Sequence, residues 1–391
     1  MREASFSPYD LTLVKPSFDA DLTDLIIELE HLRKKRLGGS THPQVFFQLK
    51  HLFHTLESIG SARIEGNNTT IAEYIENKLE NKKPEHIAYN ILEIQNIEKA
   101  MAFIEDTVSI YPINKSFVSE LHKILVKGLP APPNEEGELT PGAYRNTNIQ
   151  IANSQHLPPD SFLVDTYMDE MFNFINTKHA SKYDLLKSAI AHHRFVWIHP
   201  FSNANGRAVR LFTYAMLIKN GFTINLGRII KPTAVFCTDR NQYYDKLSKA
   251  DSGTDEGILE WCAYVLKGLK EEIEKVDKLS DYEYLKNEIL LPSLKFALNR
   301  QIITDIEANI LKETIEKQVI QNADLEKFFK DKAKSEISRQ IKKLLDKKML
   351  AVEQNSARKY VLRFDNNYLL RGLIKMLDDK GFLPLQNQIE Q

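Results

Sequence analysis

The residue types best suited to chemistry are concentrated in one short run, His199-Pro-Phe-Ser-Asn-Ala-Asn-Gly-Arg-Ala-Val-Arg210. It combines an imidazole, two carboxamides, a glycine and two guanidiniums. On one side lies LLKSAIAHHRFVWI, residues 185–198, and on the other LFTYAMLI, residues 211–218. Both flanks are apolar and long enough to be buried helices rather than strands. The second helix therefore begins inside the polar run. Backbone N–H groups at such a start have no intrahelical partner, and the helix dipole favours an anion there. Arg207 and Arg210, three positions apart, share a face of that helix. The run is thus a phosphate site with a histidine beside it, and an imidazole titrates in the range that suits proton transfer.

The elements around the run are predominantly helical. Leu22, Leu25, Ile26, Leu29 and Leu32 repeat at helical spacing over 21–35. A second helix is expected from about Pro43 to Glu65, with Gly66 as its left-handed cap. Thr70 and Glu73 have the spacing of a capping box and open a third. Further helices are expected over 86–111, 114–127, 160–177, 239–247 and 256–276, whereas 224–236 is ambiguous. Residues 1 to about 20 read as an extended arm. The proline-rich stretch 129–159 is the one part that does not read as helix, and the end of Pro141-Gly-Ala-Tyr-Arg-Asn-Thr-Asn-Ile-Gln-Ile151 alternates like a strand. A hairpin or flap is expected from Asn146 to about His156.

At 391 residues, with 42% hydrophobic and 27% charged residues, the chain has the size and composition of a multidomain globular protein. A net charge of −1 gives no whole-chain attraction to nucleic acid or membrane. Two cysteines in apolar or helical surroundings, with neither a signal-like amino terminus nor a bilayer-length apolar window, lead to the expectation of a cytoplasmic protein without membrane partners.

The run HPFSNANGRAVR resembles the signature loop of the Fic family, written H-P-F-x-[D/E]-[G/A]-N-[G/K]-R-x-x-R. Members of that family transfer a nucleotide monophosphate, typically AMP from ATP, to a hydroxyl of a target protein. The resemblance implies a mainly α fold: a Fic-type helical bundle with a short β-hairpin flap, an N-terminal helical domain and a C-terminal winged-helix domain. His199 would be the base that takes the proton from a Tyr, Thr or Ser hydroxyl. Phe201 would anchor the loop at the nucleotide, with Ala204 a tolerated small residue. Asn205 and Gly206 would form the anion hole, and Arg207 and Arg210 would hold the outer phosphates. Asn241 and Tyr244 resemble the adenine side. Asn148, Ile149, Gln150 and Ile151 resemble the target-docking flap. Glycine at 206 leaves the anion site open and implies AMP transfer, where lysine would imply kinase-like transfer. ATP is the implied substrate and Mg²⁺ the implied cation. Asn203 departs from the family's acidic residue, and a neutral oxygen there weakens metal binding.

A second stretch, Ser61-Ala-Arg-Ile-Glu-Gly66, resembles the family's inhibitory helix. There Ser61 and Gly66 frame Glu65, and Glu65 would pair with Arg210 in place of the γ-phosphate. The expected division is 1–105 as an inhibitory helical region, 106–277 as the catalytic domain, 278–301 as a helical linker and 302–391 as a winged-helix-like domain. From Lys330 to Lys348 there are eight Lys/Arg against three Asp/Glu, so Lys342, Lys343 and Lys347 are candidates for phosphate contacts to DNA. The main expectation is an autoinhibited adenylyltransferase acting on a target protein or on itself. Two rivals are AMP removal that depends on Glu65 and a DNA-binding regulator with a decayed nucleotide site. A homodimer is one of the assemblies left open.

Overall fold

A computed structural model describes residues 5–34, 39–80, 88–132, 136–152, 154–222, 232–237, 239–330, 333–354, 356–366 and 368–383. The fold is mainly helical, with one small sheet. The chain forms two compact units that interleave along the sequence. One comprises Met1–Arg36, Glu57–Thr69 and Lys82–Ile273; the other comprises Leu37–Leu56, Thr70–Asn81 and Glu274–Gln391. The linear division expected from the sequence does not follow these units. Residues 37–56 and 70–81 go with the C-terminal part of the chain.

The first unit contains α1 (Asp21–Lys34), the end of α2 (Pro43–Ile64), α4 (Tyr89–Thr107), α5 (Lys115–Val126), α6 (Val164–Asn176), α7 (Asp184–Ile198), α8 (Asn205–Lys219), α9 (Pro232–Cys237), α10 (Arg240–Ala250) and α11 (Asp255–Asp277). The central pair is α7 and α8, whose residues are buried on nearly every face. Such helices keep their own backbone hydrogen bonds and so can be surrounded on all sides. Around them, α4 presents Ile94, Ile97, Met101 and Ile104 to the core, and Asn114 caps α5 by accepting from the Phe117 N–H. The arm that precedes α1 packs on α7. Tyr9 lies over Trp197 and contacts His193. The ambiguous 224–236 segment is helical over Pro232–Cys237, and 223–231 lie outside the described residues.

Among the described residues of 146–156, the expected flap hairpin is not formed. Among the described residues, 144–152 belong to no strand ladder, and one isolated parallel bridge joins Ser5 to His156. Arg145 engages the segment in another way. Its buried guanidinium donates to the carbonyl of Thr147, which a ladder could have used, and to those of Pro159, Ile198 and His199. Asn148 is also engaged, donating to Asp160 and accepting from the Ser161 N–H.

The second unit holds α3 (Ile71–Glu80), α12 (Tyr282–Tyr284), a π-helical turn at Leu285–Leu290, α13 (Leu291–Asn299), α14 (Asp305–Lys317), α15 (Lys334–Asp346) and α16 (Leu370–Asp379). The expected linker, 278–301, is helical, but it packs on α14 and α16 as part of this core. The sheet has the order β1 (Val319–Ile320), β3 (Tyr360–Leu362), β2 (Leu350–Val352) and is antiparallel throughout. The basic segment is less free than its composition suggests. Lys343 of α15 and Lys347, just after it, both reach the buried Glu307 carboxylate, at 3.1 and 2.7 Å. Those two lysines are spent inside the unit, which removes them as free phosphate contacts.

Candidate functional site

The loop between α7 and α8 is shaped by two residues with left-handed backbone. His199, which caps α7, has φ 51° and ψ 62°, and Ala204, which precedes α8, has φ 60° and ψ 16°. Non-glycine residues adopt this region at a cost, so the surroundings must hold them there. Asn205 knits the turn from inside, its side chain accepting from the Phe201 N–H at 2.9 Å and donating to the Phe201 carbonyl at 2.8 Å. Asn203 accepts from the Ala204 N–H at 2.7 Å and donates to the Gly137 carbonyl at 3.1 Å. The Arg145 side chain grips the carbonyls of Ile198 and His199, and its N–H donates to the carbonyl of Pro200.

His122 of α5 also holds the loop and carries no signal in the sequence pattern. Its Nδ1 accepts from the Gly142 N–H at 2.9 Å, so Nε2 bears the proton and donates to the Asn203 carbonyl at 3.2 Å. Its ring stacks on fully buried Phe201 with centroids 3.8 Å apart, which fits Phe201 as the loop's anchor. Burial pulls the His122 pKa down to about 4, so it is neutral at pH 7.

His199 can act as a base. Its Nδ1 donates to the Val196 carbonyl at 3.3 Å, which leaves the lone pair on Nε2. Burial lowers its pKa to about 4. It is therefore unprotonated at neutral pH, as proton abstraction requires.

Arg210 is buried and is held through its Nε and one terminal nitrogen. Its Nε donates to Ser61 Oγ at 2.9 Å, and one terminal nitrogen donates to the Ser61 carbonyl at 3.0 Å and to Glu65 Oε1 at 2.7 Å. Gly66 follows with φ 105°, a value suited to glycine, and turns the chain just after Glu65. Burial alone would raise the Glu65 carboxyl, but the charge and hydrogen bond of Arg210 overcome it and hold the group below the usual carboxylate range. The space above Gly206, expected to be open, is filled by this carboxylate.

Arg207 faces other partners. It donates to Glu93 Oε1 at 2.8 Å, to Glu136 Oε2 at 2.8 Å and to the Glu136 carbonyl at 3.1 Å. Glu93 also accepts from Asn67 at 2.6 Å, and burial pushes its carboxyl above the usual range. On α10, Asn241 and Tyr244 are exposed, with the Arg240 guanidinium 5.5 Å from the Tyr244 ring centroid. His192 and His193 are core residues. The first bonds Thr213 and Tyr243, the second Tyr9 and Asp251. Among the described residues, no three His, Cys, Asp or Glu side chains are grouped to hold a metal.

Residues 112–217 match the model of the Fic/DOC family. Over 226 residues the chain is 26% identical to a protein adenylyltransferase Fic of Nematostella vectensis, covering 56% of this chain and 47% of the relative. It is 27% identical over 215 residues to the one of Aedes aegypti, covering 52% and 37%. The chain thus spans less than half the length of either relative. Among solved structures, the fold is similar to a Fic family protein of Desulfovibrio desulfuricans G20, with TM-score 0.54, 18% identity, and 91% of this chain and 98% of that one covered. It is also similar to a Fic domain containing signaling protein of Bacteroides thetaiotaomicron, with TM-score 0.52, 18% identity and 66% and 97% covered. The segment that builds the His199 loop and its flanking helices lies in the matched part, and it is this part of the chain that is similar to the Fic/DOC family.

Proposed function

We propose that this chain is an adenylyltransferase held off by its own Glu65. The observation that carries the reading is the 2.7 Å pair between Glu65 and Arg210, an arginine on the helix that follows the loop of His199, whose Nδ1 is bound and whose Nε2 keeps its lone pair. When Glu65 withdraws, Arg210 can take the outer phosphates of ATP, since a guanidinium binds phosphate as it binds carboxylate. His199 then accepts the proton of a Tyr, Thr or Ser hydroxyl. The hydroxyl oxygen bonds to the α-phosphorus, the bond to the β-phosphate oxygen breaks, and pyrophosphate leaves. The side chain of Asn205 serves the shape of the loop, so anion binding on this reading falls to Arg207, Arg210 and the start of α8. Tyr244 and Asn241 lie on an exposed face suited to stacking a base. Mg²⁺ enters as part of the nucleotide substrate. Among the described residues no acidic cluster is grouped for it, and the Asn203 oxygen already accepts a backbone N–H.

The same reading takes 106–277 as the catalytic part and 302–391 as a winged-helix-like domain. The latter is supported by the order α14, β1, a 3-10 helix at Asn322–Phe328, α15, β2, β3. Incubation with labelled ATP tests the proposal. Glu65→Gly should label itself or an added protein, and Glu65→Gly with His199→Ala should not; equal labelling by both would reject His199 as base. Hydrolytic removal of AMP that depends on Glu65 is the second reading, since the Glu65 carboxylate lies against the first turn of α8 at Gly206. Release of AMP from a modified protein, lost in Glu65→Ala, would establish it.

A further inference from the structure

The two motif arginines carry three carboxylates: Glu65 on Arg210, and Glu93 and Glu136 on Arg207. This arrangement has one more acid than base, and a triphosphate would add further negative charge to it. Glu93 cannot make room. It is buried and held by Arg207 and Asn67 together. Glu136 can, because its side chain is 44% exposed while Arg207 is fully buried. Residues 136 and 137 are fastened to the motif at two points. Arg207 donates to the Glu136 carbonyl and carboxylate, and Asn203 donates to the Gly137 carbonyl. An acid at position 203 could not donate that second bond and would stand near the Glu136 carboxylate. Asparagine at this position therefore suits the docking of residues 136–137.

We propose that Glu136 is a second inhibitory carboxylate, occupying on Arg207 the place of a nucleotide phosphate as Glu65 does on Arg210. The inference rests on the reading of the site as one for a nucleoside triphosphate, and it extends the inhibition from one arginine to both. Arg207 becomes available to an outer phosphate when Glu136 leaves, while its bond to Glu93 keeps it in position. The effect is specific to ligands that carry outer phosphates.

Calorimetric binding of α,β-methylene-ATP and of AMP to the full chain tests this, without metal and with Mg²⁺. The proteins are Glu65→Gly, Glu136→Gln, Glu136→Ala and each Glu136 variant combined with Glu65→Gly. Loss of a charge-assisted competitor should tighten the triphosphate analogue by about tenfold in the Glu65→Gly background and leave AMP unchanged. Unchanged or weaker binding of the analogue in both Glu136 variants overturns the proposal, and so does an equal gain for AMP. If the analogue binds no variant, Glu65→Gly included, the nucleotide reading itself fails.

Discussion

Glu65 and Gly206 occupy complementary space: a Cβ built on Gly206 would lie 2.1 Å from Glu65 Oε1 and 3.1 Å from an Arg210 terminal nitrogen. The absence of a side chain at 206 is what lets the carboxylate reach the first turn of α8, where the dipole is positive. Gly206→Ala should therefore drive Glu65 off Arg210 and cost about 1–3 kcal/mol, the worth of a hydrogen bond to a charged group with its partner left buried. In a Glu65→Ala background the same change should cost less, with a coupling of roughly 1 kcal/mol or more in a double-mutant cycle of unfolding free energies. Additive costs would show that the two positions do not compete.

Ser61 orients Arg210 through both its hydroxyl and its carbonyl. Ser61→Ala removes only the hydroxyl contact and loosens the arginine without removing Glu65. Self-labelling should rise a few-fold, by about the worth of one hydrogen bond, and stay below that of Glu65→Gly. A rate as high as that of Glu65→Gly would place the inhibition in Ser61 instead.

Arg145 joins Thr147, Pro159, Ile198 and His199 through their carbonyls. Lysine lacks the planar fork needed to reach all four. Arg145→Lys should lower stability by about 2–4 kcal/mol through unpaired buried carbonyls. A thermal melt within a degree of the parent would contradict this, since a loss of that size moves the midpoint by several degrees.

Acid should weaken the fold before it reaches the carboxylates. Burial depresses the pKa values of His122, His156, His192 and His199, with His122 and His199 brought from 6.5 to about 4. Between those values the unfolded chain takes up protons that the folded chain refuses. The unfolded state binds more protons there, so stability falls as pH drops from 6.5 towards 4. Denaturant midpoints across that range check the sign. In the Glu65→Gly variant, which loses the carboxylate charge that raises His199, the acid limb of the transfer rate should lie well below pH 6.5; a limb near 6.5 would mean that His199 is not depressed.

Much of this is legible in the sequence, because helical spacing and caps are local. Apolar repeats placed α1, α2, α5, α7 and α8, and the Glu65–Gly66 corner followed from a single glycine. The docking of Glu65 on Arg210 was legible only through the resemblance of two distant motifs. Other features depend on contacts that no local pattern encodes. Arg145 takes the Thr147 carbonyl, which a hairpin at 146–156 could have used, and the alternation of the segment does not encode that contact. Glu307, near the start of α14, accepts Lys343 and Lys347, so counting charges along α15 overstated its free basic surface. His122 and Glu136 lie outside the recognisable motifs, and their roles come from tertiary packing alone.

The central claim is that the loop transfers AMP and that Glu65 restrains it. The most direct measurement incubates Glu65→Gly with ATP labelled at the α-phosphate and, separately, at the γ-phosphate, and follows label bound to protein. The account predicts stable protein label from the α position only, greatly reduced in the unsubstituted chain. Label from the γ position, or equal α labelling with and without Glu65, would contradict it.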